Sequence, residues 1–243
     1  MRTIILCAGI GERLRPLTYK TNKSLLEIGE KSLIEHWLDA LIYSGADVDL
    51  VHIIIGHYGY KFKKLLGSKY RNLKIQFMEN KLFKITGAAQ SLYVANNILK
   101  NNQCLVLEGD HYMDPELMSD LIQSDFENCI LVDEDLNRIN YDEEVLAYGY
   151  GGILENLKWL PPYQEKPLGE ALTIFKLSKE SSNALSSILE NYLLEDGPAK
   201  REIIEPFNRL IKSYDMQYIE TNGKNWIEID FLKDLEKARE MSF

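Results

Sequence analysis

Cysteine is scarce in this chain of 243 residues: Cys7, Cys104 and Cys129 are too few and too scattered for a disulfide framework or a zinc site. Each follows or sits within an apolar run, the setting of a buried, reduced thiol. Long hydrophobic runs are missing too, since no stretch approaches the roughly 20 apolar residues of a membrane span. The first apolar run is under way by residue 3, which leaves no room for a signal peptide, so a cytoplasmic protein is expected. Positive charge is in deficit, with 28 Lys and Arg against 37 Asp and Glu and a net charge of −9. Such a surface repels phosphate over most of its area and excludes a non-specific nucleic-acid binder. The four histidines show no ligand spacing, and no repeat or low-complexity tract interrupts the chain.

What is present is alternation. Thr3, Ile4 and Ile5 open a buried strand, and the segments 50–55 and 104–107 are further apolar runs of strand length. Between them Ser32-Leu-Ile-Glu35 is a capping box for a helix with Leu33, Ile34, Trp37, Leu38, Leu41 and Ile42 on one face, stopped by Gly45. Further helices are predicted near 60–66, over 88–99, after Asp114-Pro115, and over 181–194 and 201–212. Further strands are predicted at 74–79, 129–132, 171–177, 216–220 and 226–229. This order predicts a three-layer, Rossmann-like α/β fold, a mixed, mostly parallel sheet with helices on both faces. Residues 135–168, rich in Tyr, Asn, Gly and charge and holding Pro161, Pro162 and Pro167, read as a small β excursion or lid. With 45% hydrophobic residues the chain can bury one large core, and residues 1–243 are expected to form a single domain.

The segment richest in chemistry follows the first strand. From Leu6 to Ser24 runs a loop with Gly9 and Gly11 and the cations Arg13, Arg15, Lys20 and Lys23. Glycines let backbone N–H groups approach oxyanions and the cations balance their charge, so the loop points to a nucleoside triphosphate or a similar anion. A dinucleotide fingerprint would need a third glycine where Leu14 stands, and a Walker loop would need Gly-Lys-Ser/Thr at its end. Asp110 follows a buried strand at the edge where open α/β sheets hold their ligands. A carboxylate there suits Mg²⁺, which takes one or two carboxylates plus phosphate oxygens; a turn-forming Asp is the plainer reading. Glu228 and Asp230 fall on one side of a strand, with a helix N-cap as the competing role for Asp230.

Gly9-Ile-Gly11-Glu12-Arg13, Pro16-Leu-Thr18 and Asn22-Lys23 resemble the signature of the nucleotidyltransferases that couple a phosphorylated small molecule to a nucleoside triphosphate and release pyrophosphate. Asn22 replaces the proline of that signature. Thr86-Gly-Ala-Ala-Gln-Ser91-Leu92, Glu108-Gly-Asp110-His-Tyr112 and Trp226-Ile-Glu228-Ile-Asp230 resemble the cytidylyltransferase branch for non-sugar acceptors such as phosphocholine, phosphonates and glutamine phosphate. Gly87 and Ala88 stand where choline-type relatives carry two asparagines.

The resemblance implies transfer of CMP from CTP, with Mg²⁺ held by Asp110 and Asp230. Lys23 and Arg13 become the catalytic candidates, Arg13 on the β- and γ-phosphates and Lys23 between acceptor phosphate and α-phosphate. Leu6, Ala8, Gly9, Gly11, Glu12, Thr86, Ala88 and Ser91 are the nucleotide-binding candidates. Residues 1–134 would form the nucleotide-binding half and 135–243 the acceptor-binding half, where Lys166 and Glu170 join Tyr112 as acceptor candidates. Tyr112, Tyr148, Tyr150, Trp159 and Tyr163 could cage a quaternary ammonium, although ordinary packing on a sheet face is the preferred reading of them. The expected partners are CTP and a phosphorylated small molecule, in the service of surface-polysaccharide decoration, and a homodimer is left open. A sugar-1-phosphate thymidylyl- or uridylyltransferase is the alternative enzyme. A catalytically silent nucleotide-binding module is disfavoured by Lys23 standing with both aspartates.

Overall fold

The computed structural model describes residues 1–48, 50–139, 144–159, 165–196 and 202–241. The first half runs β1 (Arg2–Cys7), β2 (Glu27–Ile28), β3 (Lys31–Ser32), α1 (Leu33–Tyr43), β4 (Leu50–Ile55), α2 (Gly59–Leu66), β5 (Lys69–Tyr70) and β6 (Leu73–Glu79). Then follow α3 (Ala88–Val94), α4 (Asn96–Leu99), β7 (Cys104–Glu108), β8 (His111–Met113), α5 (Pro115–Gln123) and β9 (Cys129–Asp133). The remainder comprises β10 (Leu146–Tyr150), β11 (Ile153–Lys158), β12 (Gly169–Leu177), α6 (Lys179–Asp196), α7 (Ile204–Ile211), β13 (Met216–Glu220), β14 (Trp226–Glu228) and α8 (Leu232–Glu240).

One ten-stranded sheet carries the molecule, in the order β10-β11-β13-β9-β12-β7-β1-β4-β6-β5. Its parallel character lies in β7, β1, β4 and β6 and in the pair β13–β9. Strand β12 enters antiparallel between β7 and β9, and the β10–β11 hairpin pairs antiparallel too. The β excursion of the sequence is thus a hairpin that extends the main sheet at its edge. The described part of 135–168 continues a layer already in place.

Both faces of the sheet are covered because its central strands are apolar throughout. Ile5 packs with Leu33, Trp37 and Leu38 of α1, Leu117 and Leu121 of α5 and Leu235 of α8. Ile4 and Leu6 face the other way, into a cluster with Leu92 of α3, Leu185 and Leu189 of α6 and Phe207 of α7. Each fully buried side chain of this size contributes roughly 1.5–3 kcal/mol. The capping box of α1 is present, with Glu35 accepting from both the backbone N–H and the hydroxyl of Ser32. The helix expected over 88–99 is broken at Ala95, whose backbone (φ −91°, ψ 13°) leaves the α region and divides it into α3 and α4. The helix expected from 201 starts at Ile204, and residues 197–201, with Lys200 and Arg201, lie outside the described segments.

Parallel strands β1, β4 and β7 end along one edge at Cys7, Ile55 and Glu108. The antiparallel β12 begins at that edge, with Glu170 opposite Asp133 at the end of β9. Five chain segments therefore deliver their next residues to one crevice, the position in which open α/β sheets bind ligands.

Candidate active site

Beyond β1 the loop from Ala8 to Lys23 folds back over the sheet edge. Gly11 adopts φ +66°, and a Cβ there would stand 3.1 Å from Thr18 and 3.3 Å from Lys23. Only a residue without a side chain lets the loop close so tightly. Thr18 donates its hydroxyl to Gly11 O at 2.7 Å, and His57 Nε2 donates to Thr18 O at 2.9 Å. Asn22, almost fully buried, directs its Nδ2 to the carbonyls of Cys7, Gly9 and His57 at 3.0, 3.1 and 3.2 Å. Its Oδ1 accepts from Ser24 N at 2.9 Å, capping the turn Lys23–Leu25. The departure from proline at position 22 is therefore a polar cross-link among β1, the glycine loop and the exit of β4.

That cross-link sets Lys23 between two aspartates. Lys23 Nζ lies 2.9 Å from Asp110 Oδ2 and 2.7 Å from Asp230 Oδ1, although 207 positions separate the last pair in sequence. Arg13 meets the other oxygen of Asp230 at 2.7 Å and rests over the Phe231 ring. Asp110 reaches the site because Gly109 passes β1 closely; a Cβ at 109 would stand 2.4 Å from Cys7 Sγ. Asp230 is free to face Lys23 because it is not the cap of α8. Phe231 is the N-cap residue, and Asp234 accepts from the backbone N–H groups of Asp230 and Phe231 at 3.1 and 2.6 Å. The N-cap reading of Asp230 is corrected accordingly.

A third carboxylate completes the group. Asp110, Glu228 and Asp230 can each present an oxygen with all three atoms within 4.8 Å of one another. His111 Nδ1 comes within 3.1 Å of Asp110 Oδ1 but without hydrogen-bond alignment, so among the described residues this buried oxygen has no bonded donor. Hard oxygen donors at this density, one of them unbonded, fit Mg²⁺. Burial opposes ionisation of Asp110, but the Lys23 ammonium overrides it and holds the carboxyl well below its ordinary range. Burial likewise opposes charge on Lys23, and Asp110 and Asp230 more than reverse this, holding its ammonium well above its usual range. Burial, with Asp110 close by, pushes Glu228 up to about 7. Glu108, at the end of β7, is raised for the same reasons.

Two cavities of about 390 Å³ each flank this cluster and share Asp230. Leu6, Ala8, Gly9, Gly11, Glu12, Arg13, Lys23, Thr86, Ala88, Ser91 and Asp110 all line the first, together with Asn22, Phe83 and Lys84. Glu170 lines the second, with Arg138, Glu144, Trp226, Glu228, Lys233 and Lys237. Two acceptor candidates are placed elsewhere. Tyr112 is buried with its ring edge on His36, because alternation along β8 turns it away from its neighbour His111. Lys166 is exposed and lines neither cavity, in a segment tied outward by Glu165 to Lys158 at 3.1 Å. Nor do the described aromatics form a cage: Tyr148 is buried under Lys158, and Tyr150 and Trp159 are exposed. Tyr163 lies outside the described residues.

Sequence reasoning missed the groups behind the cavities. Asp133, buried, accepts from Trp226 Nε1 at 2.7 Å and pairs with Arg138 at 3.0 Å, and Arg138 also donates to Trp226 O. This clamp fixes β14, which pairs with β8 and carries Glu228 opposite His111. Asn80 was missed as well. The signal for Glu228 was there, two residues before Asp230 at the end of β14.

Residues 2–241 match the family model described as nucleotidyl transferase. The chain belongs to that family. Its curated relatives include the bifunctional protein GlmU of Methanococcus vannielii, 28% identical over 230 residues, covering 92% of this chain and 50% of that protein. The chain thus spans about half the length of the GlmU proteins it matches. The choline-phosphate cytidylyltransferase of Streptococcus pneumoniae is 26% identical over 251 residues, covering 99% of this chain and 98% of that one. A CTP:phosphoglutamine cytidylyltransferase of Campylobacter jejuni is 27% identical, covering 97% and 98%. The fold is that of the solved CTP:phosphocholine cytidylyltransferase of Streptococcus pneumoniae, with a TM-score of 0.76 at 23% identity and 98% and 97% of the two chains covered. Among the described residues no helix is long and apolar enough to cross a membrane.

Proposed function

We propose that this nucleotidyltransferase transfers CMP from Mg-CTP to a small phosphorylated or phosphonate acceptor of the phosphocholine, phosphonate or glutamine-phosphate type, releasing pyrophosphate. The observation that carries the reading is the junction of two cavities at Asp230, with Lys23 beside it. A reaction between two anionic molecules needs two adjoining compartments and a cation where they meet. The two cytidylyltransferases, matched over nearly their whole lengths, favour CTP among the triphosphates.

In this scheme an oxygen of the acceptor phosphate attacks the α-phosphorus, a new P–O bond forms, and the bond to the β-phosphate oxygen breaks. No covalent protein intermediate is required, so positioning and charge neutralisation carry the catalysis. Loop amides from Gly9 to Gly11 face the triphosphate chain. Lys23 offsets the charge where the two phosphates meet, and Arg13 turns from Asp230 to the leaving pyrophosphate. Asp110, Glu228 and Asp230 would hold Mg²⁺, which when bound neutralises phosphate charge and polarises the α-phosphoryl group. The test is pyrophosphate release from CTP, UTP, dTTP and ATP, each offered phosphocholine, aminoethylphosphonate, phosphoglutamine and glucose 1-phosphate. CTP with a non-sugar acceptor should be fastest; a preference for UTP or dTTP with the sugar phosphate would reject the reading.

A further inference from the structure

Asn80 lies behind the first cavity yet controls two hydroxyls that line it. It stands just past β6, 2% exposed, with its backbone N–H on Ile55 O. Its Oδ1 accepts from Leu82 N at 2.9 Å. A backbone N–H can only donate, so this bond fixes the orientation of the amide and makes Nδ2 the donor. The two Nδ2 protons point to Thr86 Oγ1 and Ser91 Oγ, both at 3.1 Å. Thr86 donates its own proton to Leu82 O at 2.9 Å. Ser91 is 5% exposed and lines the cavity. It accepts from Asn80, and no acceptor for its own proton is found among the described residues. Gly87 and Ala88 on the same wall offer no polar side-chain atom.

We infer that Asn80 sets the polarity of Ser91, holding it as a hydrogen-bond donor to the nucleobase edge and so favouring cytosine over uracil. This rests on the first cavity being the CTP site. The two bases share an acceptor at O2. At N3 cytosine accepts, whereas uracil carries a proton that would oppose the one on Ser91. A neutral hydrogen bond left unmade in a dry site costs enough to shift a binding ratio about tenfold or more.

The polarity can be reversed. In Asn80→Asp both side-chain oxygens accept, so Leu82 N keeps its partner while Thr86 and Ser91 donate inward, leaving Ser91 Oγ as an acceptor toward the base. The experiment is calorimetric titration of Mg-CTP and Mg-UTP, without acceptor, into wild type, Asn80→Asp and Ser91→Ala. Wild type should bind CTP more tightly; Ser91→Ala should bring the two affinities together, and Asn80→Asp should favour UTP by about tenfold relative to wild type. A merely structural role for Asn80 weakens both nucleotides equally and leaves the ratio unmoved, which overturns the inference. A shift toward CTP overturns it too, since it sets the hydroxyl against position 4. Should Asn80→Asp fail to fold, Ser91→Ala decides alone, an unchanged ratio again overturning it. Wild type that binds no CTP refutes the nucleotide reading itself, a failure distinct from CTP binding with an unmoved ratio.

Discussion

The two cavities have similar volumes but are built differently. The first is walled mainly by short stretches, within 6–13, 22–24, 83–91 and 108–110, joined by Glu202 and Asp230, and is held by hydrogen bonds to backbone carbonyls from Asn22 and Thr18. The second gathers side chains from 138, 144, 170 and 226–237, and its character is charge: Glu144, Glu170, Glu228, Asp230 and Asp234 against Arg138, Lys233 and Lys237. A phosphate chain is the same in every nucleotide and can be gripped by backbone, whereas an acceptor is particular and must be read by side chains. The difference predicts that the first cavity tolerates little change and that the second can be altered without loss of the nucleotide.

The largest effect should come where the two meet. Lys23→Ala removes the cation common to Asp110 and Asp230, and turnover should fall by about two to three orders of magnitude. Near wild-type kcat would mean that the lysine only balances the aspartates. Glu228→Gln should act next, on the metal rather than on the phosphates. It should raise the Mg²⁺ concentration for half-maximal rate by about tenfold or more, on the scale of altering a metal's surroundings. An unchanged Mg²⁺ requirement removes Glu228 from the cation site and leaves it with the acceptor. Asn22→Ala should lower stability by about 2 kcal/mol, a few net hydrogen bonds, and raise KM for CTP while sparing KM for the acceptor. Asn22→Pro restores the proline of the signature at a compatible φ of −87° but not the three carbonyl contacts, so it should share the defect. Equal effects on both substrates would break the division between the cavities.

The division also governs what could be read beforehand. The capping box of α1, the strand–loop entry at 3–24 and the carboxylates at 110 and 230 are local patterns, and the fold brings the loop and the two carboxylates together. The insertion of β12 between β7 and β9 is a choice among long-range pairings, which no local pattern encodes. At 230–234 either aspartate could cap α8, and only packing shows that Asp234 does so. His111 and Tyr112 differ by parity on a three-residue strand, too short for alternation to tell which faces the site. Asn80 reads as an ordinary turn residue because its partners at 86 and 91 lie on the next helix and its approach.

The smallest predicted effect belongs to the second cavity and to pH. Glu170 is 7% exposed, and burial beside Glu144 pushes its carboxyl up to about 9. In the unfolded chain the same group releases its proton near 4.5. Between these values the folded protein holds more protons than the unfolded one, so stability is fully present below about 4.5 and declines as pH rises toward 9. Glu170→Gln keeps a hydrogen-bond donor for Glu144 and removes the titration. Thermal melts from pH 5 to 9 should therefore show a decline in wild type that is shallower, by a few degrees across the range, in the variant. Glu228 and Glu108, also raised, supply the slope that persists. Parallel melting curves for the two proteins would mean that Glu170 is already ionised in the fold, with its charge answered by a cation such as Arg138. The second cavity would then present a charged carboxylate to its ligand, whose remaining lone pairs accept from N–H donors more strongly than a neutral acid does.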